Sequence, residues 1–320
     1  MKILAFFTLI SLISMSFSKC VKDKNDESPA DPFTPGKKRF AFMVDGIERE
    51  CYIHVPQQYN SKDQLPVVIM LHGSGGNGEK FYNISGWKEL GDVEHILTVF
   101  PSSPQYPCVY DDGVKKRNAE KWSSYELELC DGGTPVNDVR FLSQVIDEVK
   151  GKYHVDEKRI YIVGFSNGGE MASRTAIELS DKIAAVVACA GALPVDTTFI
   201  PVRKLPVLLQ IGNSDDRILA KLGATNPLPM DINQLFLNFP GVQKVTNAFL
   251  NAFALDTTYS TGGNSNSFVY ADYTSGLAKG NNIFRFMLVK DLGHNYPNGK
   301  NHPMKAAEIH WEWMKNYQMP

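Results

Sequence analysis

The sequence predicts an α/β fold with a mainly parallel central sheet and helices on both of its faces. Short apolar runs alternate with segments of helical periodicity along most of the 320 residues, a pattern typical of parallel strands joined by crossover helices. Some runs, such as Val67–Leu71, are apolar at every position, as expected for strands that are buried on both faces. The chain is long enough to bury one large core.

The predicted strands and helices cover most of the chain, and the first two strands are expected to be antiparallel at an edge. The strands lie near Phe40–Val44, Arg49–Val55, Val67–Leu71, Ile96–Phe100, Arg159–Val163, Ile183–Cys189, Val207–Ile211 and Ile283–Val289. The clearest helices are Asn137–Lys152, Gly169–Leu179, Val242–Phe253 and Met304–Tyr317. The Pro- and Leu-rich segment 217–241 is predicted to be irregular, either as a wall or cap over the site or as a peripheral insertion.

The segment Gly164-Phe165-Ser166-Asn167-Gly168 lies between a strand pattern and a helix pattern, which is the setting of a nucleophile elbow. A serine hydroxyl is a poor nucleophile at neutral pH, so it must be presented on a sharp turn where a base can take its proton. Glycines two residues before and after the serine let strand and helix approach closely. Ser166 is therefore the predicted nucleophile, and a Gly-rich turn with an idle serine is the alternative.

An oxyanion hole is predicted from the turn His72-Gly73-Ser74-Gly75-Gly76, which follows an apolar strand. Such a turn can direct a backbone N–H towards the nucleophile. The predicted donors are the N–H of Asn167 and the N–H of Ser74 or of a neighbouring glycine. A phosphate-binding loop is disfavoured because no Gly-Lys-Ser/Thr sequence follows.

The acid and the base of a catalytic triad are expected later in the chain, in that order. Asp215 and Asp216 follow an apolar strand; Asp215 is the predicted acid, Asp216 is its rival, and capping of a turn is the alternative role for both. Among the 7 histidines, only His294 follows a strand and lies in a loop, so it is the predicted base. The other late loop histidine, His302, is expected to begin a helix.

These motifs resemble the secreted α/β-hydrolases related to polyhydroxybutyrate depolymerases and to feruloyl or acetylxylan esterases. The similarity includes Leu71-His72-Gly73, Asp138-Val139, Gly212-Asn213-Ser214-Asp215 and Gly293-His294-Asn295-Tyr296-Pro297. The chain departs from the usual family pattern at Ile211, where histidine is common, and at Tyr296, where tryptophan is common. The resemblance implies an α/β-hydrolase fold and a serine esterase with Ser166, His294 and Asp215 as its triad.

The resemblance also implies a substrate class and several neighbouring residues. Feruloyl or acetyl esters on plant polysaccharides or oligosaccharides are the expected substrates; polyester or polyhydroxyalkanoate oligomers are the nearest alternative, a peptidase is more distant, and an inactive glycan-binding protein is the alternative of another class. Trp122 and Tyr296 are expected to contact the substrate. Family members often carry cysteines in the region of Cys108 and Cys130, so a disulfide between these two is expected.

The net charge and the motifs of the sequence limit which ligands and macromolecular partners are expected. The net charge is −2, which leaves no basic surface for nucleic acid. No metal or other cofactor is expected, because neither C-x-x-C nor H-E-x-x-H occurs.

The beginning of the chain predicts export from the cytoplasm. Residues 1–20 have the positive start and short apolar core of a signal peptide. The signal ends at Cys20 as a lipobox does, although Lys19 is atypical there, so a lipid anchor at Cys20 and simple secretion both remain open. Residues 21–38 are predicted to be a flexible linker and 39–320 the catalytic domain. A periplasmic, outer-membrane-anchored or extracellular location is expected, with membrane contact only through Cys20.

Overall fold

Strands and helices alternate in a computed structural model of the protein, which describes residues 33–60, 62–110, 112–276 and 282–320. The predicted signal peptide 1–20, its lipidation site Cys20 and most of the linker 21–38 lie outside the described residues. Within them, the first strand already begins at Gly36, slightly before the predicted start of the domain at residue 39. None of the helices in the described ranges is long and apolar enough to cross a bilayer.

The strands are β1 (Gly36–Val44), β2 (Ile47–Val55), β3 (Leu65–Leu71), β4 (Leu97–Pro101), β5 (Gln105–Val109), β6 (Lys115–Glu120), β7 (Val155–Phe165), β8 (Ala185–Cys189), β9 (Val207–Gly212), β10 (Tyr259–Asn264), β11 (Phe268–Thr274) and β12 (Ile283–Val289). The helices are α1 (Gly78–Ile84), α2 (Trp87–Glu94), α3 (Asp138–Lys152), α4 (Asn167–Glu178), α5 (Asp216–Leu222), α6 (Ile232–Asn238), α7 (Pro240–Phe253) and α8 (Ala306–Met314).

Among the described residues, the central sheet has 10 strands in the order β1-β2-β4-β3-β7-β8-β9-β12-β11-β10. The strands from β4 to β12 in this order are parallel to their neighbours. Antiparallel pairs close both edges, and the predicted antiparallel arrangement of β1 and β2 is confirmed. The carboxyl ends of the parallel strands therefore meet at one edge of the sheet, where ligand sites of open α/β folds lie.

Helices cover both faces of the sheet, because alternate side chains of each strand point to opposite sides. In β3, Val67, Ile69 and Leu71 pack in a core cluster with α3, α4 and α7. Val68 and Met70 pack in a second cluster with α1, α2 and α8. The predicted α/β-hydrolase architecture is thereby confirmed.

Three regions differ from the sequence prediction. Segment 217–241 is not irregular, since it contains most of α5 and all of α6. The hairpin of β10 and β11 extends the sheet at its far edge, and β5 pairs with β6 in a separate 2-stranded sheet. These elements are short or largely exposed, which explains why apolar periodicity does not mark them.

Candidate active site

Ser166 lies in a sharp turn between β7 and α4. Its backbone angles are φ 55° and ψ −125°, a sparsely populated region for a residue with a side chain, which typically costs about 1–3 kcal/mol. The Ser166 N–H donates to the carbonyl oxygen of Cys189 over 2.8 Å. A Cβ atom added to Gly164 would lie 1.9 Å from the carbonyl oxygen of Gly168. The elbow is therefore held by surrounding backbone, and its close passage requires glycine.

The turn that follows β3 packs directly against this elbow. A Cβ atom on Gly168 would lie 2.3 Å from the carbonyl oxygen of His72, and one on Gly73 would lie 3.3 Å from Ser166 Cβ. The Gly75 N–H donates to Glu120 O and the Gly76 N–H donates to Gly73 O. Gly75 and Gly76 are therefore less suitable than Ser74 as oxyanion donors, because their N–H groups already have acceptors.

Unengaged backbone donors lie at the junction of the turn and the elbow. Within the described ranges, neither the Ser74 N–H nor the Asn167 N–H has a hydrogen-bond acceptor. Asn167 is the first residue of α4, and the N–H groups of a first helical turn have no partner inside the helix. This helix end also favours negative charge, so the location suits an oxyanion.

His294 lies in the loop after β12 and contacts both other predicted triad residues. Its Nε2 atom is 2.9 Å from Ser166 Oγ, and its Nδ1 atom is 2.8 Å from Asp215 Oδ2. The Asp215 side chain is 1% exposed and the His294 side chain is 13% exposed. The ring of Phe165 packs against the imidazole at a centroid distance of 5.1 Å. The structure thus brings the three residues into one hydrogen-bonded chain, which remains open to solvent at the imidazole.

Asp215 rather than Asp216 faces the imidazole. The second oxygen of Asp215, Oδ1, accepts from the N–H groups of Arg217 and Ile218 and caps the N-terminus of α5. Asp216 is exposed in the first turn of that helix. Capping and contact with the histidine, which were alternatives in the sequence, therefore occur together in one carboxylate.

Asn213 connects the loop of the acid to the loop of the base, a role that the sequence reasoning missed. Its Oδ1 accepts from the Asp291 N–H over 2.7 Å, and its own N–H donates to Val289 O. The Ser214 N–H donates to Leu292 O. The signal was present in the motif Gly212-Asn213-Ser214-Asp215, but an amide that spans two loops is not visible in a linear pattern.

The side chain of Asn167 holds the neighbouring loop in place. Its Oδ1 accepts from the Trp122 N–H over 2.6 Å, and its Nδ2 donates to Trp122 O, to Ser124 Oγ and to Glu170 Oε2. Ser124 Oγ also donates to Glu170 Oε2 over 2.9 Å. Because the Asn167 side chain is engaged in these contacts, the backbone N–H of Asn167 is the group that faces the elbow.

Trp122 and Tyr296 do not have the positions expected of substrate-binding residues. Trp122 has no exposed surface, donates from Nε1 to His72 O and stacks on Phe141. Tyr296 is 5% exposed and its hydroxyl points into the core, where it accepts from Trp87 Nε1. Both corrections have one cause: an indole N–H or a phenol O–H satisfied inside a core lets a large aromatic ring be buried.

The expected disulfide is likewise not formed. Cys108 and Cys130 are both free thiols, as are Cys51 and Cys189, and the structure has no disulfide among its described residues. Cys108 is buried in a small apolar cluster with Tyr106 and Ala119. Cys130 is half-buried, and its sulfur lies 3.9 Å from Lys116 O. The segment is held by β5–β6 pairing rather than by a covalent link.

Two other histidines near the site are buried and neutral. His72 Nε2 accepts from the Ser103 N–H, and burial lowers the pKa of His72 to about 4. His310 donates from Nε2 to Gln210 Oε1, and burial lowers its pKa to about 3. His302 lies before α8, where its nitrogens are used by Lys290 O and the Met304 N–H. Each of these rings has a structural partner of its own.

An apolar cavity of about 260 Å³ lies beside the elbow. Gly191 lines it and packs on the carbonyl oxygen of Ser166, and Glu170 lines it one helical turn after the serine. Ile218 of α5, Val245 of α7 and Phe286 of β12 contribute to its apolar wall. Part of the 217–241 segment therefore forms a wall near the site. Within the described ranges, no group of three or more His, Cys, Asp or Glu residues is placed to hold a metal ion.

A parallel sheet with a strained serine elbow and an acid and a histidine on later strands defines a serine hydrolase of the α/β-hydrolase class. The chain belongs to the phospholipase/carboxylesterase family, whose model matches residues 57–226, more than half of its length. It is thus a member of a family of carboxylic ester hydrolases.

Individual relatives agree with this membership. The protein NocK of Nocardia uniformis subsp. tsuyamanensis, which is named as an esterase, is 34% identical over 175 residues, or 54% of this chain and 47% of that protein. Feruloyl esterase B of Piromyces equi is 27% identical over 278 residues, or 85% of this chain and 46% of that protein. The matched part spans less than half the length of these two relatives.

A solved acetyl xylan esterase from Aspergillus awamori has the same fold, with a TM-score of 0.56 at 15% identity, covering 88% of this chain and 99% of that chain. Acetylxylan esterases and a poly(3-hydroxyalkanoate) depolymerase are also among the relatives by sequence. The resemblance stated from the motifs is therefore confirmed.

Proposed function

We propose that this protein is a serine esterase that hydrolyses carboxylic esters with Ser166, His294 and Asp215. The observation that supports this most directly is the continuous hydrogen-bonded chain from Ser166 Oγ through the imidazole to Asp215 Oδ2. The carboxylate accepts the proton of Nδ1, which leaves Nε2 unprotonated and facing the serine hydroxyl. Only this tautomer can remove the serine proton.

The reaction follows from this arrangement. Ser166 Oγ forms a bond to the ester carbonyl carbon while His294 Nε2 takes the hydroxyl proton, and the carbonyl electron pair becomes an oxyanion. The N–H groups of Ser74 and Asn167 stabilise that charge; each such donor is worth about 3–4 kcal/mol in the transition state. The imidazolium then protonates the departing alcohol. A water molecule repeats the sequence on the acyl-enzyme, and the carboxylic acid and free Ser166 result.

Replacement of the nucleophile tests the proposal. Ser166→Ala should lower kcat on p-nitrophenyl acetate by about 10⁴-fold or more, since serine and histidine act as a unit. Folding should be unchanged, and a fluorophosphonate should label the unmodified protein at Ser166 and fail to label the variant. Ser260→Ala is the matched control, because Ser260 is exposed on β10. Unmodified protein without turnover and without labelling would favour the alternative, an inactive glycan-binding protein.

The proposed substrates are feruloyl or acetyl esters on plant polysaccharides or oligosaccharides. Relatives named as feruloyl and acetylxylan esterases support this class, and polyester oligomers are the nearest alternative because a poly(3-hydroxyalkanoate) depolymerase is also a relative. We propose that the cavity beside the elbow receives the acyl group, and its size would then favour the larger acyl groups. At 260 Å³, with about 30 Å³ for each water in the liquid, an acetyl group would leave most of it empty.

A substitution that fills this cavity separates the candidate acyl groups. Val245→Trp places a large ring on the cavity wall, and we expect it to reduce kcat/KM for methyl ferulate while turnover of p-nitrophenyl acetate is retained. Lys244→Trp is the control on the same helix, since Lys244 is exposed and does not line the cavity. Equal effects on both esters would exclude the cavity as the acyl site. Hydroxybutyrate oligomers in the same panel test the polyester alternative.

Export remains a proposal supported by the apolar segment before Cys20 and its resemblance to a signal peptide. Fractionation of cells that express the full chain, with and without residues 1–20, provides the test. Equal amounts in the cytoplasm for both forms would contradict it.

A further inference from the structure

The strongest feature outside the triad is a chain of hydrogen bonds buried beneath it. Trp87 Nε1 donates to the hydroxyl of Tyr296 over 2.9 Å, and that hydroxyl lies 3.3 Å from His310 Nδ1. His310 Nε2 lies 2.9 Å from Gln210 Oε1. Trp87 and His310 have no exposed surface, and Gln210 has 1%. Four side chains from α2, the histidine loop, α8 and β9 are joined in this way.

The donor and acceptor groups of these four side chains determine which atom donates in each hydrogen bond of the network. The amide oxygen of Gln210 can only accept, so His310 Nε2 must carry a proton. Burial keeps the imidazole neutral by lowering its pKa to about 3, and Nδ1 is therefore an acceptor. The Tyr296 hydroxyl donates to Nδ1 and accepts from the indole N–H, which can only donate. With the oxygen of the Gln210 amide facing His310 Nε2, the network permits one arrangement of the tyrosine hydroxyl.

Residues of this hydrogen-bond network lie close in the sequence to residues of the triad. Tyr296 lies two residues after His294, and Gln210 lies five residues before Asp215 on the same strand and loop. Phe165, which precedes the nucleophile, packs on both the His294 ring and the Tyr296 ring, at centroid distances of 5.1 and 6.3 Å. The tyrosine therefore connects the base loop to the strand that carries the acid and to the residue beside the serine.

We propose that Tyr296 is a positioning residue that holds the histidine loop so that His294 Nε2 stays within hydrogen-bond distance of Ser166 Oγ. The proposal rests on the proposed serine esterase function. It assigns to the tyrosine a role inside the core, in contrast to the substrate contact expected from the sequence. Asn213 fixes the base loop at Asp291, and Tyr296 fixes it on the other side of the imidazole.

Tyr296→Phe is the decisive substitution, because it removes one oxygen and keeps the ring. We expect kcat to fall roughly 10- to 100-fold with KM little changed, since a catalytic group displaced by about 1 Å can cost on the order of 100-fold. Tyr161→Phe is the matched control: Tyr161 is buried like Tyr296, and its hydroxyl donates to Tyr317 O over 2.7 Å. It should lose comparable stability and keep kcat. Trp87→Phe, which removes the first donor of the chain, should lower kcat in the same direction by a smaller factor.

A spectroscopic readout separates positioning from mere stability and from the enzymatic proposal itself. The Nδ1 proton between His294 and Asp215 gives a proton NMR signal far downfield of the amides. We expect this signal to shift or broaden in Tyr296→Phe and to be unchanged in Tyr161→Phe. Unmodified protein that hydrolyses no ester would defeat the esterase proposal and leave this measurement valid. An unshifted signal and a kcat within twofold of the unmodified protein would overturn the positioning role, as would equal kcat losses in the two Tyr→Phe variants.

Discussion

Asp215 holds His294 with one carboxylate oxygen and the first turn of α5 with the other. Oδ2 lies 2.8 Å from His294 Nδ1, while Oδ1 accepts from the Arg217 and Ile218 N–H groups at 3.0 and 3.2 Å. A carboxylate that caps a helix has little freedom to rotate. The contacts that cap the N-terminus of α5 therefore also orient the imidazole. The helix that begins after Asp215 contributes residues to the wall of the neighbouring cavity.

Asp215→Asn should abolish most activity with little loss of stability. Asparagine caps helices about as well as aspartate, so α5 should persist. Its amide N–H₂ can, however, turn towards Nδ1 and favour the tautomer with the proton on Nε2, which cannot accept the serine proton; such a change is worth about 10⁴-fold in kcat. Steady-state kinetics beside thermal unfolding provides the measurement. Asp216→Asn is the adjacent control and should keep nearly full activity; the reverse ranking would transfer the acid role to Asp216.

His294→Ala should be about as damaging as Ser166→Ala, because a triad loses nearly all of its effect when either residue is removed. His302→Ala is the comparison, since His302 also lies in the loop region between β12 and α8 but forms hydrogen bonds with Lys290 O and the Met304 N–H. We expect it to retain turnover and to lose some stability. Inactivity of the His302 variant alone would show that the base has been misassigned.

The order of the site could be predicted from the sequence because it depends on local patterns. The strand before Ser166, the strand before Asp215 and the strand before His294 each contain an apolar run and lead into Gly- or Asp-containing turns. Parallel strands bring such ends to one edge of a sheet. Proximity in space thus followed from topology, without any knowledge of a contact between side chains.

The features that the sequence could not predict are the exposed elements and the directions in which side chains point. The helix α5 has no buried residue, so it leaves no amphipathic pattern, and β10 exposes most of its residues and contains two glycines. Trp122 and Tyr296 occur in segments next to the site, but a linear pattern does not say to which side a ring turns. Their N–H and O–H groups have hydrogen-bond acceptors in the core, and these contacts determine that both rings are buried.

Trp122→Phe tests the corrected placement of this residue. The substitution removes the Nε1–H bond to His72 O and leaves part of the indole volume empty. We expect the free energy of unfolding to fall by roughly 1–3 kcal/mol, from the lost bond and the cavity together. KM for small esters should change little. A large rise in KM with unchanged stability in urea unfolding would return Trp122 to the substrate site.

Stability should fall as the solution becomes acidic, because the folded protein keeps two histidines neutral. Burial lowers the pKa of His72 to about 4 and that of His310 to about 3, from the usual 6.5. In the unfolded chain both imidazoles bind a proton as the pH falls through 6.5. The unfolded state then holds more protons than the folded state, and between pH 6.5 and the folded-state pKa of each histidine the free energy of unfolding decreases by about 1.4 kcal/mol per pH unit for that histidine.

The contribution of His310 can be isolated with His310→Gln, whose amide can still both donate and accept but does not titrate. The variant should be less stable than the unmodified protein at pH 7.5, because the replacement side chain is smaller than the buried ring. Between about pH 6.5 and the pKa of about 3 in the folded state, however, its free energy of unfolding should fall less steeply, by about 1.4 kcal/mol per pH unit. Urea unfolding at pH 7.5, 6.0 and 5.0 measures both slopes. Parallel curves for the two proteins would mean that His310 is protonated in the fold, and the one-way hydrogen-bonded chain through Tyr296 would then require a different assignment of its protons.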